Sequence, residues 1–427
     1  MPRLRWAART DARSRRDPAG ELCTIRMSVG PTPDAPWSGD PGLPPETRAL
    51  LACARAVIDR GRLTAFRIAL TECSDVELLC EVAVSQGMLG HLHQMVSAAK
   101  DVDPALVNRL ARLQGVSSRR CLRQAGYLVR LLDELETSGV RAIPYKGPMW
   151  AERLYGDVTL RSWVDLDLLV AHEHMPRARE LFLHSGFVDG NAFNAELMSR
   201  RRRGWGEVHF VSTDGHMHLD VHWEVTVGFS GRSLTAETLL ARSRPSSLLA
   251  REVIGLSAVD MLLTSALHGT RHRWHDIEGI LGMAVLVDAT PRESWAALMA
   301  EARKAGCRRR VAVSVAHVCR VLGLELPGEV AGAIERDATA RALLRSLRPD
   351  SLSRSAASSG RGELVHLLWV FATEDSIAAG LWHGFTRLFR PGPADWATLG
   401  LPHYMEWLYY MIRPFRLAGK WVRRLLH

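Results

Sequence analysis

Arg141–Val170, RAIPYKGPMWAERLYGDVTLRSWVDLDLLV, predicts a strand, a tight glycine turn, a short helix and a second strand that carries two acids. In that second strand Val164, Leu166, Leu168 and Val170 alternate onto one face, and Asp165, Asp167 and Leu169 onto the other. With the rise of a strand, the two carboxylates start about 6.6 Å apart on the same side. From there they can converge on one divalent ion, or on a pair spaced roughly 3.5–4 Å. Hard oxygen ligands of this kind hold Mg²⁺ while it also grips phosphate oxygens. A buried strand with two acids facing water is the plain alternative, and D-x-D alone does not exclude it.

The surrounding residues favour the chemical reading. Tyr145, Lys146 and Gly147 end the first strand, and Pro148 suits the first turn of the following helix. A glycine at that place lets phosphate approach the N–H groups of the helix start. Lys146 brings a positive charge to the same spot, and Arg161, in the loop ahead of the acids, offers a guanidinium fork. Two acids this close repel each other, so replacing both by asparagine is expected to leave the thermal midpoint unchanged or raised.

Together, K-G, the short helix, L-Y-G-D, the arginine and D-L-D-L-L-V resemble the nucleotidyltransferases of the DNA polymerase β superfamily, most of all its branch of uncharacterised nucleotidyltransferases. The resemblance implies an α+β fold: a polymerase β-like core, a small mixed sheet with helices, embedded in a mostly helical chain. Lys146-Gly147 stands where that superfamily usually has Gly-Ser, a departure that bears on the triphosphate contacts. A third acid is implied on a later strand. EVHFVST, the turn Asp214-Gly215 and HMHLDVHWEV predict a hairpin with a strong turn signal. Met217, Leu219, Val221, Trp223 and Val225 take one face of its second strand; His216, His218, Asp220, His222 and Glu224 take the other. Asp220 is the candidate third carboxylate, with His218 and His222 as candidate substrate contacts; an exposed strand face is the other reading of the two histidines.

The implied reaction is Mg²⁺-dependent, with Mn²⁺ as a substitute: a nucleoside monophosphate moves from an NTP such as ATP to an acceptor hydroxyl, with release of pyrophosphate. In that reading Asp165, Asp167 and Asp220 hold metal, Asp220 also draws the acceptor's proton, and Lys146, Gly147 and Arg161 position the triphosphate. Such catalysis is mostly positioning and charge neutralisation, so the acceptor (a small molecule, a peptide or protein, or RNA) leaves little trace in the sequence.

Working outward, the 427 residues are 47% hydrophobic and 24% charged, an ordinary globular composition. A net charge of +9 suits a polyanionic partner such as nucleotide, RNA or an acidic membrane surface. Seven cysteines show neither a C-x-x-C pair nor zinc spacing, which fits a reducing compartment and a cytoplasmic protein. Residues 1–44 alternate Arg-rich and Pro/Gly-rich text and are expected to be disordered. Helical text fills 45–125, the nucleotidyltransferase core spans 126–230, and a helical domain follows at 231–345. A Ser/Arg/Gly-rich linker occupies 346–362, and 363–427 is a C-terminal helical region with a basic amphipathic end. That end is expected to pack on the bundle or to make weak contact with a membrane surface, and no stretch is apolar enough to be a transmembrane helix.

Two alternatives stay open. One is a non-catalytic nucleotide-binding partner protein on the same fold, which the replaced Gly-Ser pair keeps in play. The other is an HD-type metal phosphohydrolase using His268, His272, His275 and Asp276; the i,i+4 spacing of the first two is that of metal ligands, but the acids that follow match the HD pattern poorly.

Overall fold

The structure, a computed structural model, describes residues 40–99, 102–190, 206–225, 234–352, 360–391, 395, 403–405 and 407–426. Residues 1–39 of the expected disordered segment, 191–205 and 226–230 of the expected core and 353–359 of the expected linker lie outside the described residues.

Helices α1 (Pro45–Ile58), α2 (Leu63–Thr71), α3 (Val76–Ser85), α4 (Leu89–Ala98) and α5 (Pro104–Thr137) come first. Asp75 and Asp103 cap α3 and α5 by accepting backbone N–H groups that have no partner inside the helix. The chain then builds a sheet from β1 (Ala142–Tyr145), β2 (Leu166–Val170), β3 (Phe187–Asp189), β4 (Glu207–Ser212) and β5 (His218–His222). Helix α6 (Gly147–Tyr155) joins β1 to β2, and α7 (Met175–His184) leads into β3. The spatial order is β1-β2-β5-β4-β3. β2 and β5 run parallel, and every other neighbouring pair is antiparallel.

Register positions the functional face. Asp167 lies beside Asp220 in the parallel pair, while His209 lies opposite Asp220 and Glu207 opposite His222 in the antiparallel one. Paired residues project to the same side, so these five share one face of the sheet. The other face presents Leu166, Leu168, Val170, Leu219, Val221, Val208 and Phe210, all buried. Each such fully buried aliphatic or aromatic side chain contributes about 1.5–3 kcal/mol.

Three features depart from the sequence reading. β2 begins at Leu166, so Asp165 sits in the bend ahead of it, and Val164 is 71% exposed instead of extending the apolar face. Leu169, on the side of the acids, is fully buried, so protein covers this face as well. Beyond residue 230, where helices are expected throughout, α8 (Ala236–Ala241) gives way to a hairpin of β6 (Arg244–Leu248) and β7 (Arg251–Gly255). Its turn residues Leu249 and Ala250 have φ of 50° and 63°, the conformation that Asn-Gly normally signals.

The chain continues as α9 (Ala258–Arg271), α10 (Ile277–Asp288), α11 (Trp295–Lys304), α12 (Arg308–Leu322), α13 (Gly328–Glu335), α14 (Ala338–Ser346), α15 (Gly360–Thr373), α16 (Ile377–Phe389) and α17 (Trp407–Leu426). α1 packs against α10 and α12, so helices from before and after the sheet form one bundle. A single hydrophobic core extends from Leu43 to Val370. The fold is α+β. No described helix is long and apolar enough to cross a membrane.

Candidate active site

Asp167 is the buried centre of the polar face. Lys146 Nζ donates to its Oδ1 at 2.9 Å, and His222 Nε2 donates to the same oxygen at 2.8 Å. Its other oxygen, Oδ2, has no hydrogen-bond partner among the described residues. Burial alone would raise the Asp167 pKa, but the Lys146 ammonium and the hydrogen bond from His222 outweigh it and hold the carboxyl below its ordinary range. Burial likewise works against the Lys146 charge, and Asp167 more than restores it.

Lys146 reaches this place because of its backbone. It stands between β1 and α6 with φ 53° and ψ −147°, a conformation that non-glycine residues rarely adopt. Gly147 follows with φ 38°, packed against Trp163 and the carbonyl of Asp165, and Pro148 occupies the first turn of α6. The ammonium also lies 4.8 Å from the centre of the Tyr145 ring, where the π face attracts it.

His222 links two carboxylates. Its Nδ1 faces Glu207 Oε2 at 3.2 Å, an ion-pair distance without good hydrogen-bond alignment. Burial disfavours the imidazolium, but Asp167 and Glu207 prevail and raise the His222 pKa. In return, contact with His222 draws Glu207 down to about 2. On the adjoining strand, Asp220 Oδ1 contacts His209 Nδ1, and His209 Nε2 lies 3.2 Å from His218 Nδ1 with the two rings stacked. Asp165 is partly buried; burial, and then the charges of Asp167 and Asp220, raise its pKa against the pull of Lys146.

Asp165, Asp167, Asp220, Lys146, Gly147, His218 and His222 thus lie on or beside the polar face of the β2–β5 pair, with His218 and His222 at opposite ends of β5 and the His222 side chain reaching back to Asp167. Arg161 is oriented differently. It is partly buried with Nε 3.2 Å from Glu278 Oε2, and its guanidinium lies 5.2 Å from the centre of the Trp150 ring. Tyr155 donates a second contact to Glu278 at 2.9 Å, so Arg161 ties the loop ahead of the acids to α10. Glu207 and His209 were not among the residues singled out from the sequence. Their signal was present: a turn centred on Asp214-Gly215 pairs His209 with Asp220 and Glu207 with His222, as the structure does.

One oxygen of Asp167, one of Asp220 and one nitrogen of His222 lie within 4.8 Å of one another, close enough to hold a metal ion. Charge supports this. Four carboxylates (Asp165, Asp167, Glu207, Asp220) outnumber the Lys146 ammonium, the His222 imidazole held toward its charged form and the Arg271 guanidinium that also acts on Glu207, and the negative excess suits a divalent cation. With Asp165 as third ligand the set is all oxygen, as Mg²⁺ prefers; with His222 it suits Mn²⁺ and other transition metals as well. His268, His272 and His275 do not belong to such a group among the described residues. His268 packs edge-on to Trp150 with ring centres 6.3 Å apart, and burial, followed by the Lys146 charge, keeps its pKa well below the ordinary value. Asp276 caps α10 through the N–H of Gly279.

No curated protein matches the chain. A family model described as uncharacterised nucleotidyltransferase matches residues 72–323, from just ahead of α3 to the end of α12, taking in the whole sheet and every strand of the acidic face. By that match, which covers well over half of its length, the chain belongs to the uncharacterised nucleotidyltransferase family.

Proposed function

We propose that this protein transfers a nucleoside monophosphate from an NTP to an acceptor hydroxyl on a polymerase β-like core. The observation that carries the reading is the in-register parallel pairing of Asp167 with Asp220, with Asp165 in the bend at the start of the same strand. A divalent cation bound there, Mg²⁺ or Mn²⁺, neutralises phosphate charge and lowers the pKa of a coordinated hydroxyl. Asp165, Asp167 and Asp220 would hold it, with His222 as an additional ligand. Lys146, whose ammonium is held on Asp167, would position the triphosphate with that charge. Gly147 opens the start of α6 to a phosphate oxygen. Arg161, engaged by Glu278, fixes the loop that presents Asp165.

In the reaction the acceptor oxygen forms a bond to the α-phosphorus, the bond to the bridging α–β oxygen breaks, and pyrophosphate leaves. Asp220 accepts the hydroxyl proton, and the His209–His218 pair continues from its carboxylate as a route for that proton. The acceptor is a small molecule, a peptide or protein, or RNA. Cytoplasmic residence belongs to the same reading, supported by Cys53, Cys73, Cys80, Cys121, Cys307 and Cys319, all of which are free thiols.

The test is incubation of each α-labelled NTP with Mg²⁺ and a cell lysate, followed by isolation of the labelled acceptor. Asp165→Asn with Asp167→Asn should abolish both labelling and Mg²⁺-dependent NTP binding. Unaltered Mg·NTP affinity in the double variant would remove these residues from the site. One observation favours a second reading, nucleotide binding without transfer: the Lys146 ammonium occupies an Asp167 oxygen, and Lys146-Gly147 stands in place of Gly-Ser.

A further inference from the structure

Beyond residue 360 Trp369, Val370 and Tyr409 are buried in the usual way, but around α16 the polarity of a helical surface is reversed. The buried side of α16 is polar: Glu374 Oε1, at the end of α15, accepts from Arg310 Nη2 at 2.7 Å and from His383 Nδ1 at 2.8 Å, all three residues being buried. Asp375 accepts the backbone N–H groups of Arg308 and Arg309, joining the same corner to the start of α12. The outer side is apolar. Ile377, Trp382 and Phe385 of α16 are 75%, 58% and 54% exposed, and Leu368 of α15 with Trp407 and Phe415 of α17 are 60%, 62% and 77% exposed. More than half of the large apolar side chains exposed among the described residues lie in this last part of the chain. A soluble monomer rarely concentrates such groups without something to cover them.

Charge indicates the cover. From Trp407 to Leu426 the sequence holds Arg413, Arg416, Lys420, Arg423 and Arg424 and no acid, in a chain of net charge +9. Asp395 takes Arg413 and Arg416, which pins α17 at its middle. A second copy would bring one basic helix against another. An anionic lipid surface complements both properties, since Trp and Phe settle at the headgroup boundary and Lys and Arg meet the lipid charge. The family match ends at residue 323, so this region adds to the matched domain. We propose that α15, α16 and α17 form a peripheral docking face for an anionic lipid bilayer.

The experiment is flotation of the full-length protein with vesicles of phosphatidylcholine alone or with about 30% phosphatidylglycerol. The expected result is recovery with the anionic vesicles, lost in high salt, and at least about tenfold weaker with the neutral ones. Ile377→Ser, Trp382→Ser and Phe385→Ser combined should weaken vesicle binding about tenfold or more while leaving the thermal midpoint and Mg·NTP affinity unchanged, because exposed side chains leave no cavity. Absence of wild-type binding to anionic vesicles, or equal binding by the triple variant, overturns the proposal. So does light scattering that shows a wild-type dimer converted to monomer by the same substitutions, which would make a second copy the cover.

Discussion

Asp165 and Asp167 are two residues apart, yet their charges have opposite consequences for stability. Asp167 is the acceptor for Lys146 and His222, so Asp167→Asn leaves a half-buried ammonium without its carboxylate and a buried imidazole with Glu207 alone, and should cost about 1–3 kcal/mol. Asp165 is held above its ordinary pKa by burial and by its acidic neighbours, so Asp165→Asn should leave the midpoint unchanged or raise it. Urea denaturation of the two single variants at neutral pH checks this, and a stabilised Asp167→Asn would refute the pairing. Repulsion between neighbouring acids, the expectation from sequence, therefore describes Asp165 and fails for Asp167. The reason is Lys146: its reach to Asp167 depends on an unusual backbone conformation that no residue type announces. The acids themselves were legible in D-L-D, and Asp220 in the alternation of its strand.

Among the elements, the loop between α6 and β2 decides where Asp165 stands, and it is held from two sides. Gln114 and Arg120 of α5 donate to the carbonyls of Thr159 and Trp163 at 2.8 and 2.6 Å. From α4, Gly90 comes so close that a Cβ would lie 2.7 Å from the Leu160 carbonyl oxygen and 2.8 Å from its Cα. Gly90→Ala must push backbone aside, so it should cost about 1–3 kcal/mol and weaken Mg·NTP binding by displacing the loop. Denaturant midpoint and nucleotide affinity measured together test the link, and an unchanged midpoint would contradict it. The sequence made β1, the Lys146-Gly147 turn, α6 and the β4–β5 hairpin readable, because glycine, proline and strict alternation mark them. β3 is only three residues long and carries no period. The β6–β7 hairpin turns on Leu249 and Ala250, where nothing in the residue types marks a turn, so helical context prevailed in the reading.

For the whole molecule, the bundle that supports the sheet contains imidazoles that must remain neutral. Burial, and then the Arg161 charge, lowers the His91 pKa to about 3, and burial, followed by Arg320, does the same to His317. An unfolded histidine binds its proton near pH 6.5. Between that pH and about 3 the unfolded chain therefore binds more protons, and stability falls as the pH is lowered through this window. Each of the two should remove roughly 1 kcal/mol by about pH 5.5. His91→Phe, which keeps a ring edge-on to Tyr155, should flatten the fall of thermal midpoint between about pH 6.5 and 5; an unchanged slope would show that His91 is not the group responsible. In the sheet this bundle supports, Asp220 beside Asp167 is proposed to make a nucleotidyl-transfer site. The most direct measurement pairs isothermal titration of a non-hydrolysable NTP analogue with a pyrophosphate-release assay on the same preparations of wild type and Asp220→Asn. Asp220→Asn should keep a similar analogue affinity while its turnover falls by about 10²-fold or more, the scale of a lost general base. Equal turnover in the two proteins would contradict that proposal.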